Sequence, residues 1–191
     1  MIYFTSDWHI GHKSVIGFCK RPYANLDEMH EALIANYNKV VKPTDTCVFV
    51  GDTTFLNTTK TRAVIDRLNG TKIAVLGNHD PKQGSMLNMG FSLAVYKMEL
   101  EIRGHKVIIS HYPFRLPWYV KLRLWLRKCK LDLRYNERRH DDDGKTFLIH
   151  GHTHSTKQFE GRALHVGVDA WKYVPVPMWK IEQHIDKELK C

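Results

Sequence analysis

Asp7 and His9 stand two residues apart, Asp52 follows a glycine, and residues 77–80 read Gly-Asn-His-Asp. His111 follows the run Val-Ile-Ile-Ser, and residues 150–154 read His-Gly-His-Thr-His, so His152 and His154 are again two apart. Carboxylate, imidazole and amide-oxygen ligands suit divalent ions such as Mn, Fe, Zn, Ni or Co. The four cysteines (Cys19, Cys47, Cys129 and Cys191) are scattered and make no CxxC pair, which argues against a thiolate zinc cage or a dense disulfide framework. Two ions about 3.5–4 Å apart need a bridging carboxylate, and together they can clamp the attacking and leaving oxygens of a phosphoryl centre. Asp52, alone after its apolar run, suits that bridging place. Taken by itself, the 77–80 stretch reads as a turn that stops a strand.

The residues gain weight from where they fall. Residues 1–5 (MIYFT), 47–50 (CVFV) and 72–76 read as buried strands, and Asp7, Asp52 and Asn78 come just after them. Residues 25–41 read as a helix, with Asn25 as cap, Asp27 and Glu28 in the first turn, and apolar positions at Met29, Leu33, Tyr37 and Val40. Residues 60–68 read as a shorter helix stopped at Asn69-Gly70. This alternation predicts right-handed strand–helix–strand units and a largely parallel sheet. Further on, residues 96–102 and 106–110 resemble a hairpin turned at Arg103-Gly104, and 147–150, 163–166 and 178–185 read as later strands of a second sheet. Ligands of open α/β sheets bind beyond the carboxyl ends of the strands, and the polar residues fall there.

In this order and context the motifs resemble those of the calcineurin-like metallophosphoesterases: Asp7 and His9, Gly51-Asp52, Gly77 to Asp80, His111, and Gly151 to His154. They span residues 1–155 of the chain. The resemblance implies a four-layer α/β/β/α sandwich with two mixed β-sheets flanked by helices, formed as a single domain over 1–191. It implies that Asp7, His9, Asp52 and His154 hold one metal ion, and that Asp52, Asn78, His111 and His152 hold another. It gives His79 the contact with phosphate and the proton for the leaving oxygen, with Asp80 orienting its imidazole. The implied cofactors are two divalent ions, Mn first, with Fe, Zn, Ni, Co or Mg as alternatives. The implied activity is a dinuclear metal-dependent phosphodiesterase or phosphatase that attacks a phosphate monoester or diester with a metal-bridging hydroxide. The family's Gly or Asp after the second motif is replaced here by Thr53-Thr54-Phe55, a departure that bears on substrate fit.

Close to the first motif, His12 and Arg21 are candidates for touching substrate phosphate. A supporting hydrogen bond is the equal alternative for His12, and anchoring the loop to the following helix is the alternative for Arg21. His30, His140, His165 and His184 have no motif partner and read as surface or supporting residues, and His105 reads as part of a turn.

At 191 residues the chain suits one domain, and its net charge of +9 attracts phosphate-bearing partners. Seven of those nine charges sit in residues 115–139, where nine Lys and Arg face only Asp132 and Glu137. This basic, Trp- and Leu-rich insert, at about 115–145, separates two ligand motifs. On a helix it would align Trp118, Leu122, Trp125, Leu126, Cys129 and Leu133, while residues 128–135 alternate like a strand. It reads as a packed helix with a wet basic face, or as a lid recruiting a polyanion. The expected partner is a phosphate ester related to nucleotide or nucleic acid. A phosphorylated or pyrophosphate-linked lipid precursor, with peripheral membrane contact through the insert, is the alternative, and a non-catalytic scaffold the more distant one. The acidic residues 141–143 read as a solvated turn. No apolar run is long enough to span a bilayer and the chain opens on a strand, so a cytoplasmic protein with reduced thiols is expected.

Overall fold

The computed structural model describes residues 1–116 and 135–189. In the first sheet, β1 (Ile2–Thr5), β2 (Thr46–Val50), β3 (Thr71–Val75) and β4 (Leu93–Val95) pair in parallel, and β10 (Val176–Pro177) lies antiparallel to β1 at the edge. The second sheet has the order β5 (Met98–Ile102), β6 (His105–Ile109), β7 (Phe147–His150), β9 (Ala163–His165), β8 (Phe159–Glu160). Its central strands β6, β7 and β9 run parallel. Five α-helices are found among the described residues: α1 (Ser14–Phe18), α2 (Leu26–Val40), α3 (Thr58–Ile65), α4 (Gln83–Asn88) and α5 (Met178–Glu188). The fold is the expected sandwich of two mixed sheets flanked by helices.

Strand alternation explains the layering. Tyr3, Cys47 and Phe49 point to one face, where they pack with Met29, Leu33 and Tyr37 of α2 and Ile65 of α3. Phe4, Val48, Val50 and Val75 point to the other, against Val107, Ile109, Phe147, Ile149 and Leu164 of the second sheet. A sheet buried on both faces reads as continuous apolar runs, which is why its strands stand out in the sequence. Each such side chain contributes about 1.5–3 kcal/mol when fully buried, so the strand ends are held by a stiff support. Helix α2 is capped as expected: the Asn25 side chain accepts the Glu28 N–H at 2.9 Å. The hairpin turns at Arg103-Gly104, whose φ of 55° and 74° fit a two-residue type I′ turn.

Three expectations need correction. Residues 178–185 are helical, because Ile181, His184 and Ile185 recur at three- and four-residue spacing and are buried together on one face of α5. Only the preceding Val176–Pro177 is a strand, paired antiparallel with β1. The run 96–102 is shorter as a strand than expected: Leu93–Val95 joins the first sheet, Tyr96 and Lys97 cross over, and Met98–Ile102 joins the second. His105 begins β6 rather than sitting in the turn. Within the basic insert, residues 117–134 lie outside those described, and with them the Trp118–Leu133 face and nearly all of the alternation over 128–135.

Candidate active site

Strands β1, β2, β3, β6, β7 and β9 deliver their carboxyl ends to one edge of the sandwich. Backbone bonds tie these ends to one another: Asp7 N–H to Gly51 O (3.0 Å), Gly151 N–H to His111 O (3.1 Å) and Val168 N–H to Ser6 O (3.1 Å). The last, with the parallel bridge between Ser6 and Gly167, joins the two sheets where their ligand-type residues meet.

Two clusters form there. Asp7, His9 and His154 offer ligand atoms within 4.8 Å of one another, and so do Asp52, His111 and His152. Asp52 lies between the clusters: its Oδ2 is 3.7 Å from His9 Nε2 and 3.4 Å from His111 Nε2. His9 Nε2 is buried without a hydrogen-bond partner, as is Asn78 Oδ1 on the loop beside Asp52. Buried polar atoms are rarely left unpaired, since desolvating one costs about 1–3 kcal/mol. A cation is the partner that fits a lone imidazole nitrogen and an amide oxygen facing carboxylates, so the donor set passes a chemical test for divalent metal.

The local backbone is bent to bring these side chains together. Asp7, His9, Asp52, His152 and His154 have φ of 59°, 53°, 52°, 72° and 49°. Left-handed conformations are uncommon for residues other than glycine, and a cluster of them marks strain held by surrounding structure. Trp8, between two of these residues, is buried in the core and donates from Nε1 to Thr5 Oγ1 at 2.8 Å. The motif glycines supply room. A Cβ on Gly77 would run into the Asp52 carboxylate and backbone, and one on Gly151 into Ser6 and Asp7.

His9, His111 and His154 have Nδ1 engaged by groups outside the two clusters, which sets each ring, while His152 Nδ1 approaches His111 Nε2 at 3.3 Å. His111 Nδ1 lies 2.9 Å from Val50 O, His154 Nδ1 2.9 Å from Asp169 Oδ2, and His9 Nδ1 3.4 Å from His12 Nδ1. Cys19 Sγ also approaches His154 Nδ1, at 3.2 Å. Asp169 is gripped in turn by Arg21, Nε to Oδ1 at 2.8 Å and Nη2 to Oδ2 at 3.0 Å. The same guanidinium donates to the carbonyls of Asp7 (2.7 Å) and Trp8 (3.0 Å). Sequence reasoning missed Asp169 and Cys19. For Asp169 a weaker signal existed: it comes two residues after Gly167, which ends the run 163–166, whereas Asp52 follows its glycine directly. Cys19 carried none.

This geometry bears on two assignments. Arg21 is fully enclosed, which favours the anchoring alternative: it holds the first loop and Asp169. Asp80 directs Oδ1 to Thr53 N–H (2.8 Å) and Oδ2 to Gly77 N–H (2.9 Å), holding the turn that carries His79 without bonding its imidazole. His79 itself stands at the mouth, its side chain 44% exposed and Nε2 4.0 Å from Asp52 Oδ2. His12 is half-buried and stacked on Phe55 at 4.3 Å. His165, unassigned from sequence, is buried 3.9 Å from Asp7 Oδ2.

Charge in the site follows from burial and the carboxylates. Burial pushes the His9 imidazole down to about 3, against the pull of Asp52. Burial also disfavours charge on His111, but the Asp52 carboxylate outweighs it and raises the group to about 9. For His154 the Asp169 carboxylate and Cys19 outweigh burial and raise it to about 10. Asp52 is likewise disfavoured as an anion by burial, yet His111 and the His79 N–H hold it below the ordinary carboxylate range.

Fold and site together define a calcineurin-like phosphoesterase, and the chain belongs to that superfamily: the family's domain model matches residues 1–167. It is 29% identical to an uncharacterized protein of Methanocaldococcus jannaschii, over 97% of this chain and 92% of that one. It is 32% identical to the gene 66 protein of Mycobacterium phage L5, over 88% and 86%. Among solved structures it resembles a protein of unknown function from Aquifex aeolicus, with a TM-score of 0.67 and 26% identity over 96% of this chain and 98% of that one. No helix among the described residues is long and apolar enough to cross a membrane.

Proposed function

We propose that the chain is a dinuclear metal-dependent hydrolase of phosphate monoesters or diesters, related to nucleotides or nucleic acids in its substrate. The carrying observation is Asp52 Oδ2, set between His9 Nε2 at 3.7 Å and His111 Nε2 at 3.4 Å, where one carboxylate can serve two cations. Asp7, His9, Asp52 and His154 would hold one ion, and Asp52, Asn78, His111 and His152 the other. Bound divalent metal would supply positive charge for the phosphoryl oxygens and an acidified water for attack. His79, exposed beside that place, delivers a proton to the leaving oxygen, while Asp80 keeps its loop in position. Mn is the first choice of metal for this mixed nitrogen and oxygen set. Among the described residues Cys19 and Cys47 are free thiols, which fits a reducing setting such as the cytoplasm.

Metal removal is the direct test. Protein stripped by chelator should lose turnover of an aryl phosphate ester and regain it with Mn. Turnover that survives complete stripping would sink the proposal.

A second test follows from the charges. Metal-free, His111 and His154 lie near 9 and 10, above the free histidine value of about 6.5, so both hold protons at pH 7. Coordination needs neutral imidazole, so loading should release those protons, and affinity should climb with pH until both groups are neutral. For the metal-free fold the sign is opposite: their protonated forms stabilise it below about pH 6.5, and this contribution is lost as pH rises toward 9 and 10. Calorimetry of Mn binding in buffers of different ionisation enthalpy reads the release. Heats independent of buffer would contradict it.

A further inference from the structure

His165, at the end of β9, belongs to neither ligand cluster and yet lies buried beside one of them, only 3% exposed. Both of its ring nitrogens are buried without a hydrogen-bond partner, a state no other histidine among the described residues shares. His150, with its ring centroid 5.4 Å away, has Nδ1 2.9 Å from Gly151 O, and His184 has Nε2 2.7 Å from Gly161 O. The His165 backbone, by contrast, is fully engaged. Its N–H donates to Gln158 O at 2.9 Å, and its carbonyl accepts the Trp171 Nε1–H at 2.7 Å. A rigid strand end therefore places the ring, and it is aimed at Asp7, with Nε2 3.9 Å from Oδ2. Gly167 makes room for this approach. A Cβ there would stand 2.7 Å from His165 Nε2 and 2.8 Å from Asp7 Oδ2, although its φ of -61° suits any residue.

Asp7 Oδ2 is short of donors. The Ser6 hydroxyl has one proton and two close acceptors, Val50 O at 2.7 Å and Asp7 Oδ2 at 2.8 Å, so it cannot serve both. The His152 N–H is shared between the two carboxylate oxygens, at 3.1 Å from each. We propose that His165 is a positioning residue for Asp7: an Nε2–H bond to Oδ2 holds the carboxylate as a metal ligand, and it forms as the ion is bound. The inference rests on the metal-dependent reading of the site. At 3.9 Å the pair is about 1 Å beyond the roughly 2.7–2.9 Å of a charge-assisted bond, so the ring goes unbonded in the metal-free fold. That state is unfavourable, because a buried polar group without a partner has lost its water contacts without replacement. His165 thus weakens the metal-free fold and strengthens the loaded one. A core histidine kept for packing would do the reverse to the metal-free fold.

The test compares wild type with His165→Leu and with His165→Gln, whose side-chain amide can place an N–H near the position of Nε2. Urea unfolding is measured on the metal-free proteins, and Mn affinity by calorimetry. His165→Leu should raise the urea midpoint of the metal-free protein, because an apolar side chain of similar size replaces two unbonded nitrogens. The same change should weaken Mn binding by about 10–100-fold, the scale for losing an outer partner of a metal ligand. The loss should fall on one of the two binding steps, the one that uses Asp7. His165→Gln should recover most of the affinity, which a packing role would not predict. A metal-free His165→Leu protein less stable than wild type, down to failure to fold, overturns the proposal and makes His165 a packing residue. So does a Mn affinity that is unchanged in His165→Leu, or one that His165→Gln fails to restore. If folded wild-type protein binds neither Mn nor Zn, the metal-dependent reading itself fails, and the role of His165 with it.

Discussion

His79→Ala is expected to keep its full complement of metal and lose about 10²–10⁴ in rate, the usual share of general acid–base catalysis. The imidazole stands at the mouth and belongs to neither ligand cluster, so its removal leaves the metal-holding atoms alone. Its backbone N–H, which bonds Asp52 Oδ1 at 3.0 Å, survives the substitution. If the ring protonates the leaving oxygen, the deficit should shrink for leaving groups that are already good anions. Nitrophenyl esters should therefore suffer least and alkyl esters most. Metal content by elemental analysis, beside rates on both ester types, reads the two effects separately. Equal losses on good and poor leaving groups would remove the acid role, and lost metal would place His79 among the ligands.

Arg21→Met should cost about 3–5 kcal/mol of stability, the cost of leaving one partner of a buried ion pair uncompensated. Its guanidinium is enclosed, bonds both oxygens of Asp169, and serves the carbonyls of Asp7 and Trp8, all of which would face an apolar chain. Methionine keeps much of the volume, so the loss would report the polar network more than a cavity. Urea unfolding of metal-free protein measures it without a contribution from bound ions. Adding Asp169→Asn to Arg21→Met should cost less than Asp169→Asn alone, because the partners are coupled. A loss below about 1 kcal/mol, or strict additivity of the two changes, would show that the pair does not organise the loop.

Much of this site was legible in the chain because it is built from strand ends. Buried parallel strands write apolar runs, turns must stop them, and ligand-type residues in the turns stand out against both. Asp7, Asp52, Asn78 and His111 were readable in that way. A sequence shows that a charged residue is near a motif and not where its side chain points, so the bonds of Arg21 to Asp169 and of Asp80 to Thr53 and Gly77 were not readable. Asp169 lies beyond the last motif and meets His154 only through the folding of β9 against β7. The misreading of 178–185 has a local origin. Eight residues with four apolar positions satisfy a short buried strand until the spacing of Ile181, His184 and Ile185 is set against a face of the sandwich.

The meeting of the two sheets at the site also carries a kinetic consequence. His152 N–H reaches the Asp7 carboxylate across 145 residues of chain. No ion can find both clusters until that loop is closed and the sheets are docked. Metal should therefore bind the finished fold and have little hold on the folding transition state, so its stabilisation should fall on the unfolding rate. Stopped-flow unfolding in urea should slow as Mn is added, while refolding rates stay level. A refolding arm that accelerates with Mn would mean the clusters assemble before the barrier, with one of the ions acting as a nucleus for the chain.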